Sequence, residues 1–199
     1  MAEHLEQSYY LCAVVQCDYP MQMEVYRYLM QCNTYKCIAI VHDKDKYLQD
    51  YERKDSGGVI KNYKVGDLVP PHIHIIIKLP RKFSAECFTD RFANYVHFEI
   101  CRDPYEYALY FQHLTFQAIK DNKVQYPREA IFGDADMLDK YVHSVCQSAH
   151  DCILEFHSAY MRGGSPENAL TILMQEGAVK TIQDVKRHAY FYRRFVCGE

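Results

Sequence analysis

Blocks of apolar residues with strand-like texture alternate with segments of helical period along the first two-thirds of the chain. Tyr9 to Gln16 is apolar through its centre and predicts a strand. Asp18-Tyr19-Pro20 then opens a helix over about Met21 to Gln31, and Cys37 to His42 predicts a second, buried strand. A long charged connection, Tyr47 to Val69, holds Gly57-Gly58 between Tyr51–Lys54 and Val59–Val65, the pattern of a short hairpin. The run Pro70-Pro71-His72-Ile73-His74-Ile75-Ile76-Ile77-Lys78-Leu79 predicts a β-branched strand bracketed by prolines. Ser84 caps a helix to about Asn94, and Tyr95 to Cys101 alternates as a fourth strand. Asp103-Pro104-Tyr105-Glu106 is a strong helix start, with Asp at N-cap, Pro at N1 and Glu at N3, and the helix is expected to reach about Lys120. Lys123 to Phe132 is the last candidate strand.

The order βαββαβ plus a helix predicts an α+β sandwich of ferredoxin-like (RRM-like) type, an antiparallel sheet with helices on one face. After Gly133-Asp134 the texture becomes helical: Met137 to Tyr160, Pro166 to Gln175 and Thr181 to Phe195. We therefore expect a domain over residues 1–133 and a small all-α domain over 134–199. Hydrophobic residues make up 49% and charged residues 25%, an ordinary globular balance. No run reaches the ~18–20 apolar residues of a membrane span. The opening Met1-Ala2-Glu3-His4-Leu5-Glu6-Gln7 is polar rather than signal-like, so a cytoplasmic location without membrane association is expected. Nine cysteines, an odd number without a Cys-x-x-Cys pair, read as reduced packing thiols.

Candidate chemistry starts on the histidine strand. Alternation puts His72, His74, Ile76 and Lys78 on one face and Ile73, Ile75, Ile77 and Leu79 on the other, a core face. Two imidazoles two residues apart on one strand can grip one metal ion; two unrelated histidines at a strand end are the alternative. If the second and third strands are neighbours, His42 and Asp45 can join His72 and His74. Three imidazoles and a carboxylate suit an ion such as Mn²⁺; Mg²⁺ prefers oxygen, and zinc fits by ligand type. On the capped helix, Tyr107, Phe111, Leu114 and Ala118 share an apolar stripe, while Glu106, Tyr110, His113 and Gln117 share a polar one. Tyr107 is the core tyrosine of that pair and Tyr110 the one presented among polar groups.

Three features in order, His42-Asp43-Lys44-Asp45, His72-Ile73-His74 and a helix bearing Tyr110-Phe111-Gln112-His113, resemble the small single-tyrosine rolling-circle plasmid replication initiators of the HUH endonuclease superfamily. The resemblance covers about residues 8 to 133. It implies a divalent ion, Mn²⁺ first and Mg²⁺ second, on His42, Asp45, His72 and His74. It also implies Tyr110 as nucleophile, with Tyr107 as the alternative. His113 stands where related branches carry lysine, supporting Tyr110 or the scissile phosphate. The implied reaction is nicking and rejoining of single-stranded or hairpin origin DNA through a 5′-phosphotyrosine. Lys78, Arg81 and Lys82 are candidate DNA contacts; a solvated edge is the other reading.

No phosphate-loop motif occurs in the chain. On that resemblance a host helicase and polymerase are expected partners, and the C-terminal helices are expected to assemble a homo-oligomer. The basic, aromatic run Val185 to Phe195 either binds DNA or packs in that oligomer. A net charge of −3 argues mildly against broad nonspecific DNA binding. The competing readings are a small single-stranded DNA transposase of the same superfamily and a non-catalytic ferredoxin-like nucleic-acid-binding module.

Overall fold

A computed structural model describes residues 6–143 and 147–187. Among the described residues, seven strands and eight α-helices run in the order β1 (Gln7–Gln16), α1 (Pro20–Gln31), β2 (Lys36–His42), β3 (Tyr51–Lys54), β4 (Ile60–Tyr63), β5 (His72–Ser84), α2 (Ala85–Arg91), β6 (Phe98–Ile100), α3 (Pro104–Phe111), α4 (Phe116–Lys120), β7 (Phe132–Gly133), α5 (Ala135–Leu138), α6 (Gln147–Gly163), α7 (Pro166–Gln175) and α8 (Val179–Arg187). The main sheet has the order β6-β1-β5-β2-β7, and every neighbouring pair is antiparallel. The protein is thus an α+β fold on a five-stranded antiparallel sheet. The expected hairpin forms separately as β3–β4. Among the described residues no helix is long and apolar enough to cross a membrane.

The alternation read along the histidine strand sorts the sheet into two faces. Leu11, Ala13, Val15, Ala39, Ile73, Ile75 and Ile77 pack under α1 and α2, around Leu29 and Phe88. Cys12, Ile38, Ile40 and Ile76 form the opposite core with Ala108 and Phe111 of α3 and with Met137, Tyr141 and Val142. Helices therefore cover both faces, where the sequence suggested one. The second face looked half-polar because His72 and His74 sit on it, yet both are buried. This core crosses residue 133, and a third cluster joins Leu109 and Leu114 to Ile153, Phe156, Ala159, Leu173 and Val185 of the C-terminal helices.

Several boundaries differ from expectation for visible reasons. β5 continues past Pro80 to Ser84, because the β1–β5 register shifts between Ser8↔Phe83 and Tyr10↔Lys78 and the proline falls in that irregularity. Ser84 does cap α2, accepting from Cys87 N–H at 3.2 Å, but the helix stops at Arg91 before Ala93 and Asn94, both with positive φ. The fourth strand shortens to Phe98–Ile100. Lys123 to Phe132 supplies only a 3₁₀ turn (Arg128–Ala130) and the first residue of two-residue β7. Of the basic run from Val185, positions 188–199 lie outside the described residues.

Gly133 in β7 pairs with Ile38 at φ +136°, and a Cβ there would stand 2.1 Å from the Cys37 carbonyl oxygen. The clash is with backbone and cannot be relieved by a rotamer change. Gly133→Ala is expected to cost about 3 kcal/mol, read as a fall in the urea midpoint at unchanged slope. A midpoint within error of wild type would show that β7 detaches freely.

Candidate functional site

The site lies where β2 and β5 end together. His42 and His72 are direct cross-strand partners, and His74 pairs with Ile40 one step deeper on the same face. The loop after β2 returns Asp45 to this spot, anchored by a hydrogen bond from Val69 N–H to its carbonyl at 2.8 Å. α3 closes the site from above. Its N-terminus is built as the sequence predicts: Asp103 Oδ1 accepts from Tyr105 N–H at 2.9 Å and Glu106 N–H at 3.2 Å, and Pro104 occupies the first turn.

The helix does not run on to Lys120. It ends at Phe111, and His113 adopts φ +55°, a left-handed conformation uncommon for a non-glycine residue. That turn drives His113 into the site instead of along a helical stripe. Its Nδ1–H donates to the Val124 carbonyl at 2.6 Å, and the side chain is fully buried.

The imidazoles are oriented alike. A carbonyl oxygen can only accept, so each nitrogen facing one must carry the proton. His42 Nε2–H donates to Phe111 O at 2.7 Å and His72 Nδ1–H to Pro70 O at 3.1 Å. With His113, three rings thus turn a lone pair inward. His42 Nδ1, His113 Nε2 and His72 Nε2 lie 3.5, 3.6 and 3.8 Å from Asp45 Oδ2. His42 Nδ1, His74 Nε2 and His113 Nε2 are buried without a hydrogen-bond partner, a costly arrangement unless something else fills the centre. Ligand atoms on one ion about 2.1 Å away stand roughly 3.0–3.4 Å apart; the three nitrogens facing Asp45 Oδ2 are only slightly farther than that, and the atoms within each candidate set lie within 4.8 Å of one another. Two sets of ligand atoms are close enough to share an ion: His42, Asp45 and His113, and His42, His72 and His74. The outward N–H bonds to carbonyls are the supporting shell that metal-binding histidines require.

Electrostatics agree with ligation. Burial lowers His72 and His74, and it takes His113 down to about 4, so these imidazoles are neutral at pH 7. Burial works to raise Asp45, but the close approach of His42, with His113 and His72 facing it, outweighs burial and holds the carboxyl at about 2. The consequence is a pH dependence of the metal-free protein. Unfolded His113 binds a proton near 6.5 and the folded form only near 4, so the unfolded state takes up more protons between those values. Stability should fall as pH drops from about 6.5 to 4, by about 3 kcal/mol from His113 alone. Below about 4 the Asp45 contribution is lost as well, down to about 2. Urea melts in a chelator across this range, with His113→Asn as the comparison, check it; a flat profile between pH 6.5 and 4 would contradict the assignment.

Tyr110 sits at the rim, its ring 5.2 Å from His74 and 5.7 Å from His113. It borders a cleft of about 760 Å³ lined also by Asp45, His72 and His74. Tyr107 lies deeper, its hydroxyl 3.4 Å from His74 Nδ1, and burial with the neighbouring Cys12 thiol raises its pKa strongly. Lys78, Arg81 and Lys82 are exposed but do not line this cleft; Lys78 stands about 13 Å along the strand from His74 and pairs across with Lys36. Their side chains lie on other surfaces, Arg81 over Phe83 and Lys82 over Tyr9.

Two site residues escaped sequence reasoning, both within the segment read as a strand. Lys123 lines the cleft with its Nζ 5.5 Å from the Tyr110 ring centroid. Tyr126 stacks on His42 (4.4 Å, 9°), accepts from Lys44 N–H at 2.8 Å and donates to Asp45 Oδ1 at 3.3 Å. The spacing from His113 held no signal for either; the loop is brought in by the His113–Val124 bond.

Fold and site together define an α+β protein with a buried histidine–carboxylate cluster able to hold a metal ion. Compared with known proteins, the chain matches no protein-family model and no curated protein.

Proposed function

We propose that the chain is a metal-dependent nuclease of HUH type that nicks and rejoins single-stranded DNA, as a rolling-circle plasmid replication initiator does. The observation that carries the reading is the convergence of His42, Asp45, His72, His74 and His113 directly beneath the cleft-facing Tyr110. The ferredoxin-like reading is supported by the order β6-β1-β5-β2, antiparallel throughout, with α1 and α2 on one face.

A histidine-rich set with one carboxylate suits Mn²⁺ better than Mg²⁺. The ion held there would polarise a phosphate oxygen and offset the charge that develops on it. The remaining work falls to side chains. Tyr110 attacks phosphorus in line, its proton passing to solvent in the open cleft. The P–O3′ bond breaks, leaving a 5′-phosphotyrosine and a free 3′-OH, and one phosphodiester replaces another without an external energy source. Lys123 is placed to neutralise the phosphate beside Tyr110. Tyr126 holds Asp45 and His42 in place as a positioning residue. In this reading His113 faces the metal centre rather than the nucleophile, and the C-terminal helices pack behind α3 and assemble subunits.

The test is incubation of the full chain with Mn²⁺ and end-labelled DNA hairpins of varied loop sequence. A covalent protein–DNA adduct with a free 3′-OH on the released strand is expected. Strand binding without any adduct would favour the non-catalytic binding module; transfer of one cut end to a second DNA, with no priming product, would favour the transposase.

A further inference from the structure

Beyond the metal cluster, the same cleft extends to a wall that the cleavage chemistry does not use. That wall is made by the β3–β4 hairpin, the loop before it and the corner between β1 and α1. Tyr19, Tyr47 and Tyr51 line it, with Gln16, Gln22 and Arg53 between them. Tyr47 is stacked on both Tyr51 (5.4 Å, 18°) and Tyr63 (4.8 Å, 29°), and Tyr51 is the outermost ring at 49% exposure.

The hairpin is fastened in this position. Arg53 donates to Asp18 Oδ1 at 2.7 Å and Gln16 Oε1 at 3.1 Å, and its guanidinium lies 5.3 Å from the Tyr19 ring centroid. The Tyr19 hydroxyl donates to the Lys54 carbonyl. Tyr47 is tied by backbone bonds to Asp67 and Gly66, one step from the Val69–Asp45 bond that fixes the metal-facing carboxylate. Wall and cluster are therefore held in one frame. With Arg53 paired to Asp18, the cleft's cations Lys46 and Lys123 still outnumber its single acid, Asp45.

An exposed tyrosine backed by half-buried ones, with carboxamides and cations in the same concave surface, matches an unpaired nucleobase attached to its phosphates. Rings stack on any base, amides reach base edges and cations meet the backbone. A cleft of about 760 Å³ is of small-ligand size, too small for a duplex. We propose that this tyrosine wall is a nucleobase-binding subsite, in which one or two unpaired bases next to the scissile phosphate stack against Tyr51 and its neighbours. This rests on the single-stranded DNA reading above. It assigns the hairpin the task of seating the strand so that the phosphate falls at Tyr110.

The test compares the full chain, in chelator so that no cleavage occurs, on an octamer of thymidylate and on an octamer of abasic deoxyribose phosphates. Both carry the same phosphate charge, so their affinity ratio reports base contacts alone. Wild type is expected to prefer the thymidylate strand by about tenfold or more. Tyr51→Ala should reduce the ratio to within about twofold while leaving affinity for the abasic strand unchanged. Tyr95→Ala, another exposed tyrosine far from the cleft, should keep the ratio. A 2-aminopurine placed in the thymidylate strand gives a second measurement on the unmutated chain, through quenching when it stacks. A wild-type ratio near one without quenching, or a ratio that survives both Tyr51→Ala and Tyr47→Leu, would overturn the subsite and leave the nuclease reading standing. Wild type binding neither strand would remove both.

Discussion

Tyr110→Phe is expected to bind single-stranded DNA and metal as wild type does and to form no covalent adduct, a loss of about 10³-fold or more. Tyr107→Phe is expected to keep adduct formation within about tenfold. The two residues are one turn apart on α3, so the difference lies in surroundings. Tyr107 packs its ring on Phe111 at 5.4 Å and sets its hydroxyl against His74 Nδ1; it borders the neighbouring pocket with Tyr110 but not the cleft that reaches Asp45 and His72. Burial and the Cys12 thiol also push its pKa up, so the phenolate is less accessible still. Tyr110 lines the cleft beside His72, His74 and Lys123. Mapping the adduct peptide by mass spectrometry decides the matter. An adduct on Tyr107 would overturn the assignment of Tyr110 as nucleophile.

The metal cluster should respond as a unit. Mn²⁺ at about a hundred times its dissociation constant should stabilise the folded chain by about 2.7 kcal/mol, a Tm rise of roughly 5–10 °C for a chain of this size. In His74→Ala and Asp45→Asn that rise should disappear, and Mn²⁺-dependent cleavage should fall about 100-fold or more. Asp45 carries the largest expectation, because three ring nitrogens lie within 3.8 Å of its Oδ2 and it is the only carboxylate in the two candidate ligand sets. His113→Asn separates two roles. If His113 is a ligand, Mn²⁺ affinity drops; if it serves only Tyr110, affinity holds while adduct formation slows. A full Mn²⁺ response in both His74→Ala and Asp45→Asn would exclude the cluster as the binding site.

Local signals along the chain determined a good deal unaided. Alternation around His72 and His74 placed both imidazoles on one face, because side-chain direction in a strand has a period of two whatever the partner strands do. The Asp103-Pro104 start of α3 was legible because capping involves only the next three residues. The hairpin around Gly57-Gly58 was legible for the same reason, with Gly58 at φ +82°.

Tertiary structure alone decided the rest. Nothing near His113 in the chain marks a helix end: the helical period carries on through it, and only the Val124 carbonyl and Asp45, distant in sequence, draw it into a left-handed turn. Lys123 and Tyr126 reach the site through that same turn, so no local pattern could reveal them. Lys78 shares a face with His74 by alternation, yet separation along the strand puts it beyond the cleft, since parity fixes the face and not the distance. The second covered face of the sheet also escaped the pattern. A strand bearing two histidines reads as half-polar until α3 is laid across it, where the Phe111 carbonyl takes the His42 N–H and the histidines are enclosed against one another.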